Sequence, residues 1–498
     1  MDYSLLLMPF EQPLLILLLA LGTFLGIYVG AIPGLSATMA ISLLVSLTFG
    51  WDSYSAIALM TGVFVGAVYG GSRSAILLNI PGAPAAVVTG FDGYPLAQKG
   101  EAGKTMFLAA FYSVIGTILG ALALLFLAPA ISGISMKFRS VDYLILAMIG
   151  LLTVGSVGCK SLRRGVFSAC LGVLIGTVGM DALSSVKRFT FGITYLNSGV
   201  SFVVAMIGLF GASEVFVQLG NLSVTPVRQT VTRMKPTLKE FIHHLPLAVR
   251  SAVIGIFVGA LPGAGGDIAA LLSYDSARRT VRSPSAPFGS GAVEGVIAPE
   301  TANNAAIGGA FVPMLTLGIP GDSVTAIYIS ALTLAGLTPG PGFLSSSQDI
   351  FLLVVMGLLL AAVFLMVFSL SGIRLFTKIT QIPKAVLLPL ILILSVIGAY
   401  AINNSVTDIL WMFLFGILGY ILKRTGYPVS PVVLGIVLEP LLESNLIRAL
   451  KLNGSSAFRM LLSVFDSPIS VILVILLILS LCAKKLTDLF TKGKEKNR

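Results

Sequence analysis

The stretch LLNIPGAP, residues 77–84, places an asparagine and a Pro-Gly pair inside one of the more apolar regions of the chain. A near copy, LTLGIPGD, follows at residues 315–322. Proline removes a backbone donor and clashes with the preceding helical turn, and glycine allows the backbone angles with which a helix stops or restarts. Both stretches therefore predict a helix that is broken inside an apolar segment.

The composition around these breaks is that of a polytopic membrane protein. Of the 498 residues, 56% are hydrophobic and 11% are charged, whereas soluble domains carry about 25% charged residues. Apolar runs recur from residue 12 to residue 482. Because about 20 helical residues cross the hydrocarbon core of a bilayer, we expect an all-α fold with about twelve transmembrane helices and several shorter half-helices or hairpins.

Charges, cysteines and missing motifs narrow the function classes. Asp2 and Glu11 precede the first apolar run without any Lys or Arg, so this run predicts a retained helix and not a cleavable signal peptide. The three cysteines are scattered, which argues against a disulfide framework and a metal site. The net charge of +11 indicates cytoplasmic loops and not nucleic acid. Without a P-loop or an HExxH motif, the sequence does not favour an enzyme.

Basic segments predict which side of the membrane each loop faces, with the acidic N-terminus outside. Four basic residues contradict the resulting alternation: Lys137, Arg139, Lys187 and Arg188. The predicted organisation is a first membrane repeat with following helices at 1–220, a cytoplasmic linker at 221–250, a second membrane repeat at 251–380, C-terminal transmembrane helices at 381–485 and a basic cytoplasmic tail at 486–498.

The chain contains an internal repeat. Residues 26–34 read GIYVGAIPG and residues 255–263 read GIFVGALPG, with seven identities in nine positions. The first copy is entered from an acidic end and the second from a basic end, so we expect two inverted repeats. In secondary transporters with this architecture, the substrate lies near the midplane where broken helices from the two halves meet. A parallel repeat is the alternative if one short segment has been miscounted.

Helices that restart after Pro-Gly breaks point N–H groups and a partial positive charge at the gap, which suits a carboxylate. Pro-Gly pairs also end both copies of the repeat, at 33–34 and 262–263, so there are four paired breaks with those at 81–82 and 320–321. Together they predict an anion site. The predicted substrate-binding residues are Pro33, Gly34, Ser36, Arg73, Asn79, Pro81, Gly82, Asn303, Asn304, Pro320, Gly321 and Ser323. Close helix packing is the alternative for the small residues, and a snorkelling or loop arginine is the alternative for Arg73.

Carboxylates and hydroxyls near the breaks offer oxygen atoms to a coupling cation. The predicted ion-coupling residues are Glu300, Asp267, Asp322, Thr38 and Thr325. Apart from Na⁺ or H⁺ as the coupling ion, no cofactor or metal is expected. Glu300 shares one helical face with Asn303 and Asn304, and an interfacial cap is the alternative for this group. A helix N-cap is the alternative for the two aspartates.

Four long blocks carry a family resemblance. They read GIYVGAIPGLSATMA (26–40), GAVYGGSRSAILLNIPGAPAAVVTGFDGYPLAQKGEAGKT (66–105), EGVIAPETANNAAIGGAFVPMLTLGIPGDSVTAIYISAL (294–332) and GYPVSPVVLGIVLEPLLE (426–443). The chain resembles the large membrane subunit, TctA-type, of the tripartite tricarboxylate transporter family. The blocks span nearly the whole chain. The family blocks fall on Pro33-Gly34, Asn79 to Gly82, Asn303-Asn304 and Pro320-Gly321.

This resemblance implies a multi-pass subunit of a bacterial inner-membrane uptake system. The system imports citrate or other di- and tricarboxylates, driven by a Na⁺ or H⁺ gradient without ATP. Its implied partners are a small TctB-type membrane subunit, a periplasmic TctC-type solute-binding protein and membrane lipid. The stretch AGLTPGP (335–341) departs from the HGLQPGP-like stretch expected in many relatives, which leaves the carboxylate open. The competing hypotheses are a stand-alone organic-anion exporter or channel and a structural subunit without transport.

Overall fold

A computed structural model of the protein describes residues 2–32, 35–79, 82–157, 162–181, 186–219, 238–371 and 384–478. Three predicted site residues, Pro33, Gly34 and Pro81, lie outside these ranges, as do residues 221–237 of the predicted linker and the predicted tail at 486–498. The described residues are helical almost throughout, with one short β-hairpin.

The helices of the N-terminal half begin and end as follows: α1 Met8–Glu11, α2 Pro13–Ala31, α3 Ala37–Leu47, α4 Ser53–Leu78, α5 Ala86–Leu96, α6 Ala102–Ser135, α7 Ser140–Val157, α8 Leu162–Gly176, α9 Phe202–Met206 and α10 Ser213–Leu219. The hairpin strands are β1 Gly179–Met180 and β2 Lys187–Arg188, which pair antiparallel. Shorter helical turns are Tyr3–Leu7, Ala97–Glu101, Thr194–Ser198 and Ile207–Ala212.

The helices of the C-terminal half are α11 Leu238–Gly259, α12 Gly265–Thr280, α13 Glu294–Leu317, α14 Ser323–Leu334, α15 Phe343–Ser346, α16 Gln348–Ser371, α17 Lys384–Asn403, α18 Val406–Thr425, α19 Ser430–Leu452 and α20 Ala457–Leu462, followed by the turn Ser463–Asp466. Eight helices of the described ranges are long and apolar enough to cross a membrane. A ninth is added if the bent pair Ala457–Asp466 and Pro468–Ile478 forms one span. The predicted all-α polytopic membrane fold is confirmed, whereas the total of twelve spans stays a prediction.

Two compact units divide the chain. The first comprises residues 1–132 and 203–424, and the second comprises residues 133–202 and 425–498. All predicted site residues within the described ranges belong to the first unit. In the second unit α19 packs on α7 and α8. The predicted boundaries at 220, 250, 380 and 485 stay predictions.

The packing of α2 on α4 organises the N-terminal part of the first unit. The glycines in contact are Gly22, Gly26 and Gly30 of α2 and Gly62, Gly66 and Gly70 of α4. A Cβ atom on Gly26 would lie only 2.4 Å from the carbonyl oxygen of Val63. Small residues at every fourth position let two helix backbones touch, which is a principal way in which helices associate inside a bilayer. The contacts advance along both helices together, so α2 and α4 run parallel, and α3 carries the chain back between them.

The pair α11 and α13 repeats these contacts at equivalent positions. A Cβ on Gly255 would lie 2.2 Å from the carbonyl oxygen of Ala302, and one on Gly259 would lie 2.4 Å from that of Ala306. These glycines occupy the same places in GIFVG that Gly26 and Gly30 occupy in GIYVG. The sequence repeat therefore coincides with a repeated helix contact.

Helices α4 and α13 contact each other in opposite directions. The ring centroids of Phe64 and Phe311 are 5.9 Å apart, and eight residues later on α4 the hydroxyl of Ser72 donates to Glu300, which lies eleven residues earlier on α13. The two helices are thus antiparallel. Around this pair, α5 packs on α12 and α13, and α14 packs on α3 and α4. Each short helix after a break therefore contacts the other copy of the repeat.

The glycine contacts predict a stability difference between two Gly→Ala substitutions. Gly66→Ala would place its Cβ 2.3 Å from the carbonyl oxygen of Thr23, so α2 and α4 must separate, at a cost of about 1–3 kcal/mol. Gly133→Ala, a helical position with nothing within 4 Å of the added Cβ, is expected to be neutral or stabilising by up to about 1 kcal/mol. Thermal unfolding of the purified variants in detergent measures both effects. An unchanged melting temperature for Gly66→Ala would contradict the packing described here.

Candidate functional site at the broken helices

The two breaks at NIPG and GIPG begin with the same backbone conformation. Helix α4 ends at Asn79 with φ 54°, and α13 ends at Gly318 with φ 71°. Asparagine is one of the few residues besides glycine that adopt this left-handed conformation routinely. Three positions later, Gly82 and Gly321 lie against the carbonyl oxygens of the last glycines of GIYVG and GIFVG, at 2.0 and 2.5 Å from an added Cβ. Helices α4 and α13 therefore end in the same way.

Side chains cap two of the helices that restart after a break. The hydroxyl of Ser36 accepts a hydrogen bond from the backbone N–H of Met39 at the start of α3, 3.2 Å away. Asp322 caps α14: its carboxylate accepts from the N–H of Thr325 at 2.7 Å, and the hydroxyl of Thr325 accepts from the N–H of Asp322 at 2.9 Å. Asp322 and Thr325 thus form a capping box. Their predicted part in ion coupling stays a prediction.

Segments from both copies of the repeat converge where α12 begins. The carboxylate of Asp267, in the first turn of α12, accepts a hydrogen bond of 3.0 Å from the backbone N–H of Ala85, just before α5. On the same turn, a Cβ on Gly266 would lie 2.1 Å from the side-chain oxygen of Asn303. The start of α12, the loop before α5 and the middle of α13 therefore form one cluster, which we call the break site.

The N-cap of α14 completes the break site. A Cβ on Gly265 would lie 3.1 Å from the Cβ of Asp322. Asp267 is exposed and Asp322 is half-buried. The first turns of α12 and α14 contribute N–H groups and the positive ends of two helix dipoles, while the two aspartates contribute negative charge. This combination can bind an anion together with a cation.

A buried carboxylate lies one turn before Asn303 on α13. Glu300 is 1% exposed and accepts hydrogen bonds from Ser72 on α4 at 2.5 Å, Thr89 on α5 at 2.5 Å and Ser113 on α6 at 3.0 Å. Four helices from both copies of the repeat thus meet at one side chain. A buried carboxylate is costly unless hydrogen bonds satisfy it, and here three hydroxyls do so.

Asn304 extends this hydroxyl cluster. Its amide nitrogen donates to Ser113 at 2.9 Å and to the backbone carbonyl of Glu300 at 3.0 Å. Its side-chain oxygen is buried and has no hydrogen-bond partner among the described residues. Asn303, by contrast, faces α12 in the break site. The three residues predicted to share one helical face are therefore divided between two neighbouring clusters.

Arg73 is buried inside the first unit. Its side chain is 1% exposed, and it donates to the backbone carbonyl of Ser369 on α16 at 2.6 Å and to the hydroxyl of Tyr69 at 3.3 Å. The guanidinium is therefore held by α4 and α16. Its predicted contact with an anion stays a prediction.

The remaining predicted residues lie along the breaks. Asn79 is exposed, Thr38 and Ser323 are half-buried, and Pro320 is buried beside Gly321. The side-chain oxygen of Asn79 lies 3.9 Å from the Cβ position of Gly90 on α5. Their predicted contacts with substrate or ion stay predictions.

A second buried carboxylate, Asp92 on α5, was missed by the sequence analysis. One of its oxygens accepts from the backbone N–H groups of Gly289, Gly291 and Ala292, each at 2.8 Å, and the other accepts from the hydroxyl of Tyr274 at 2.8 Å. The chain thus fills the anion site formed by the N–H groups ahead of α13 with its own carboxylate. Asp92 thereby ties α5 to α12 and α13.

Comparison with known proteins identifies the family. A family model described as the Tripartite tricarboxylate transporter TctA family matches residues 16–434. The chain belongs to this family. An Agrobacterium vitis protein named "Uncharacterized 52.8 kDa protein in TAR-I ttuC' 3'region" is 36% identical over 437 residues, which cover 88% of this chain and 87% of that protein. Another from the same organism, "Uncharacterized protein in TAR-II ttuC' 3'region", is 41% identical over 203 residues, 41% of this chain and 84% of that protein.

No solved structure matches the chain. Membership of the TctA family makes the protein a multi-pass membrane component of a tripartite tricarboxylate transporter, as the resemblance implied. The family consists of large transporter subunits and is not an enzyme family. Its match covers the break site and the cluster around Glu300.

The anchoring role of Asp92 predicts a graded loss of stability. Asp92→Asn turns an amide N–H₂ group toward one set of its donors, so we expect a loss of about 1.5–3 kcal/mol. Tyr274→Phe removes one hydrogen bond and is expected to cost about 1 kcal/mol. Melting temperatures in detergent should fall in the order wild type, Tyr274→Phe, Asp92→Asn. A variant Asp92→Asn as stable as the wild type would show that the three N–H contacts do not stabilise the fold.

Proposed function

We propose that this TctA-family protein is the permease subunit of a binding-protein-dependent secondary transporter in the bacterial inner membrane. It imports di- or tricarboxylate-type organic anions with Na⁺ or H⁺, receives them from a TctC-type periplasmic protein and works with a small TctB-type subunit. The observation that carries the proposal is the break site, where α12, α13, α14 and the loop before α5 meet. Broken helices that meet in this way are typical of secondary-transporter substrate sites.

An inverted repeat is part of this proposal. The recurrence of the α2–α4 glycine contacts in α11–α13 supports a repeat, and the antiparallel contact of α4 with α13 supports its inversion. Helix α5 of the first copy packs on α12 and α13 of the second, and α14 of the second copy packs on α3 and α4 of the first. These reciprocal contacts support a two-fold relation. In this arrangement the two copies rock against each other around the break site to expose it alternately to the two sides.

The charges of the break site support cotransport with a cation. A substrate carboxylate that approaches the first turns of α12 and α14 also approaches Asp267 and Asp322. Two like charges 4 Å apart repel by about 4 kcal/mol at an effective dielectric constant of 20. A cation bound between the carboxylates removes this repulsion, so anion and cation bind more tightly together than separately. This reciprocal coupling is the thermodynamic basis of symport.

The hydroxyl cluster around Glu300 offers a second position for the coupling ion. The carboxylate, the hydroxyls of Ser72, Thr89 and Ser113 and the side-chain oxygen of Asn304 supply oxygen ligands, which hard cations prefer. The same carboxylate can bind a proton. Since Glu300 belongs to the second copy and its three hydroxyl donors belong to the first, occupancy of Glu300 changes the contacts between the copies and therefore the balance between their arrangements.

Asp267→Asn tests the charge argument at the break site. Removal of this carboxylate should raise the Na⁺ or H⁺ concentration that gives half-maximal uptake by about tenfold or more, because a charged ligand contributes about 1.5–3 kcal/mol. The matched control is Asp275→Asn on the same helix, where the carboxylate pairs with Arg279 on an exposed face. The measurement is uptake as a function of ion concentration, compared between the wild type and the two variants. An ion dependence unchanged in Asp267→Asn removes this residue from coupling.

Glu300→Gln tests the buried carboxylate. The amide keeps the shape but can neither bind a proton nor hold a cation by charge, so gradient-driven uptake should fall about 100-fold, while the protein stays folded. Glu294→Gln is the control, because Glu294 lies on the same helix and bonds to the neighbouring Ser285. Normal gradient-driven uptake by Glu300→Gln would contradict a coupling role.

Reconstitution into liposomes tests the function as a whole. The protein, its small subunit and candidate periplasmic binding proteins are combined, and uptake of radiolabelled citrate and other carboxylates is measured under imposed Na⁺ or proton gradients. The proposal expects uptake that needs both a binding protein and a gradient. Flux without a binding protein would favour a stand-alone exporter or channel, and absence of flux with every combination would favour a structural subunit.

A further inference from the structure

The second unit contains a cavity of about 290 Å³. It lies between the end of α8, the hairpin β1–β2, residues 198–202 and the middle of α19. All residues of the proposed transport site belong to the first unit, so the two sites share no residue. The volume is close to the lower end of the range of about 300–1,000 Å³ typical of small-molecule pockets.

The lining of the cavity is rich in acidic side chains. Three carboxylates line it, those of Asp181, Glu439 and Glu443, together with one guanidinium, that of Arg188. Arg188 forms a two-point contact with Glu443, in which one nitrogen donates at 2.7 Å and the other makes a shorter contact. Acidic side chains therefore outnumber basic ones by three to one in the lining of the cavity.

Glu439 is the side chain that most needs a ligand. It lies near the middle of α19, is 4% exposed, and one of its carboxylate oxygens has no hydrogen-bond partner in the described part of the chain. Gly176 of α8 makes room for it, because a Cβ there would lie 2.7 Å from the Cβ of Glu439. Buried polar atoms are nearly always paired with protein, water or a ligand. An exception that lines a charged cavity indicates a bound group.

The arrangement of the acidic groups decides which cation fits. No three Asp, Glu, His or Cys side chains of the described ranges come together as they would around one metal ion. The carboxylates are instead distributed around a cavity that also has apolar walls, to which Val178, Val200, Phe202 and Ile436 contribute. A group with several N–H donors on an apolar stem can reach separated carboxylates and fill the apolar space, whereas a bare metal ion cannot.

We propose that this cavity binds an organic cation, an alkylammonium or guanidinium group whose N–H donors contact Glu439 while Asp181 adds attraction. The apolar stem packs against Phe202 and Ile436. Two sources can supply this chemistry: a free amine, or a lysine or arginine side chain of another transporter subunit. The proposal does not depend on which carboxylate is carried or on which ion drives transport.

Titration calorimetry on the full chain in detergent tests the cavity without any mutation. The probes are n-butylammonium, its uncharged counterpart n-butanol, and Na⁺. We expect saturable binding of n-butylammonium, much weaker binding of n-butanol, and no displacement of n-butylammonium by equimolar Na⁺. Absence of n-butylammonium binding, equally tight binding of n-butanol, or displacement by equimolar Na⁺ would each overturn the proposal.

Two variants locate the binding. Glu439→Gln should weaken n-butylammonium binding about tenfold or more, because it removes the carboxyl group that accepts from the ligand. Glu214→Gln is the matched control, since Glu214 is a partly buried carboxylate paired with Lys423 in the first unit, and it should bind as the wild type does. Unchanged affinity in Glu439→Gln would overturn the assignment. If this variant does not fold, the comparison of the three probes on the wild type still tests whether the cavity binds an organic cation.

The source of the cation is distinguished by the same titration on the complex with the small membrane subunit. Retained binding of n-butylammonium identifies a free amine as the occupant, and exclusion of the probe identifies a basic side chain of that subunit. Because the readout is binding and not uptake, failure of the transport proposal and failure of this one give different results.

Discussion

The close contact of parallel helix backbones is the interaction on which the first unit depends. Glycines at every fourth position of α2 and α4 bring the backbones together, and Gly255 and Gly259 bring α11 against Ala302 and Ala306 of α13 in the same way. Within a bilayer, where apolar side chains gain little by leaving lipid, such contacts supply the dispersion energy that holds helices together. The last glycine of each row also receives the chain after the Pro-Gly break, since Gly82 and Gly321 pack on those carbonyls. The packing therefore positions the breaks.

Unpaired backbone groups within apolar surroundings explain why polar side chains gather near the breaks. A break inside a membrane is tolerated where protein or a polar cavity satisfies the freed N–H and C=O groups. Asp322, Ser36 and Asp267 each accept from such an N–H group, at the start of α14, at the start of α3 and before α5. The same residues that stabilise the breaks thus bring charge to the place where the two copies meet, which links the stability of the fold to the proposed transport.

Two of the buried carboxylates of the first unit, Asp92 and Glu300, differ in their partners. Asp92 is held by three rigid backbone N–H groups and a tyrosine hydroxyl, an arrangement suited to a fixed joint. Glu300 is held by three hydroxyls, which can rotate to accept as well as donate. Only hydroxyl partners can turn their oxygen lone pairs toward a cation, or adapt to a protonated acid. The sequence analysis predicted an ion-coupling role for Glu300 and did not single out Asp92; the role of Glu300 stays a prediction.

The sequence by itself determined the all-helical membrane fold, the positions of the breaks and the family, because apolar runs, Pro-Gly pairs and long motif blocks are local features of the chain. It also selected Glu300, since a carboxylate in an apolar segment is costly and so carries information. Tertiary structure alone decided that Ser72, Thr89 and Ser113 surround this carboxylate, that Asn303 and Asn304 face different neighbours, and that Arg73 is bonded to α16. No spacing along the chain relates residues 72 and 113 to residue 300, because they meet only when helices from both copies pack together.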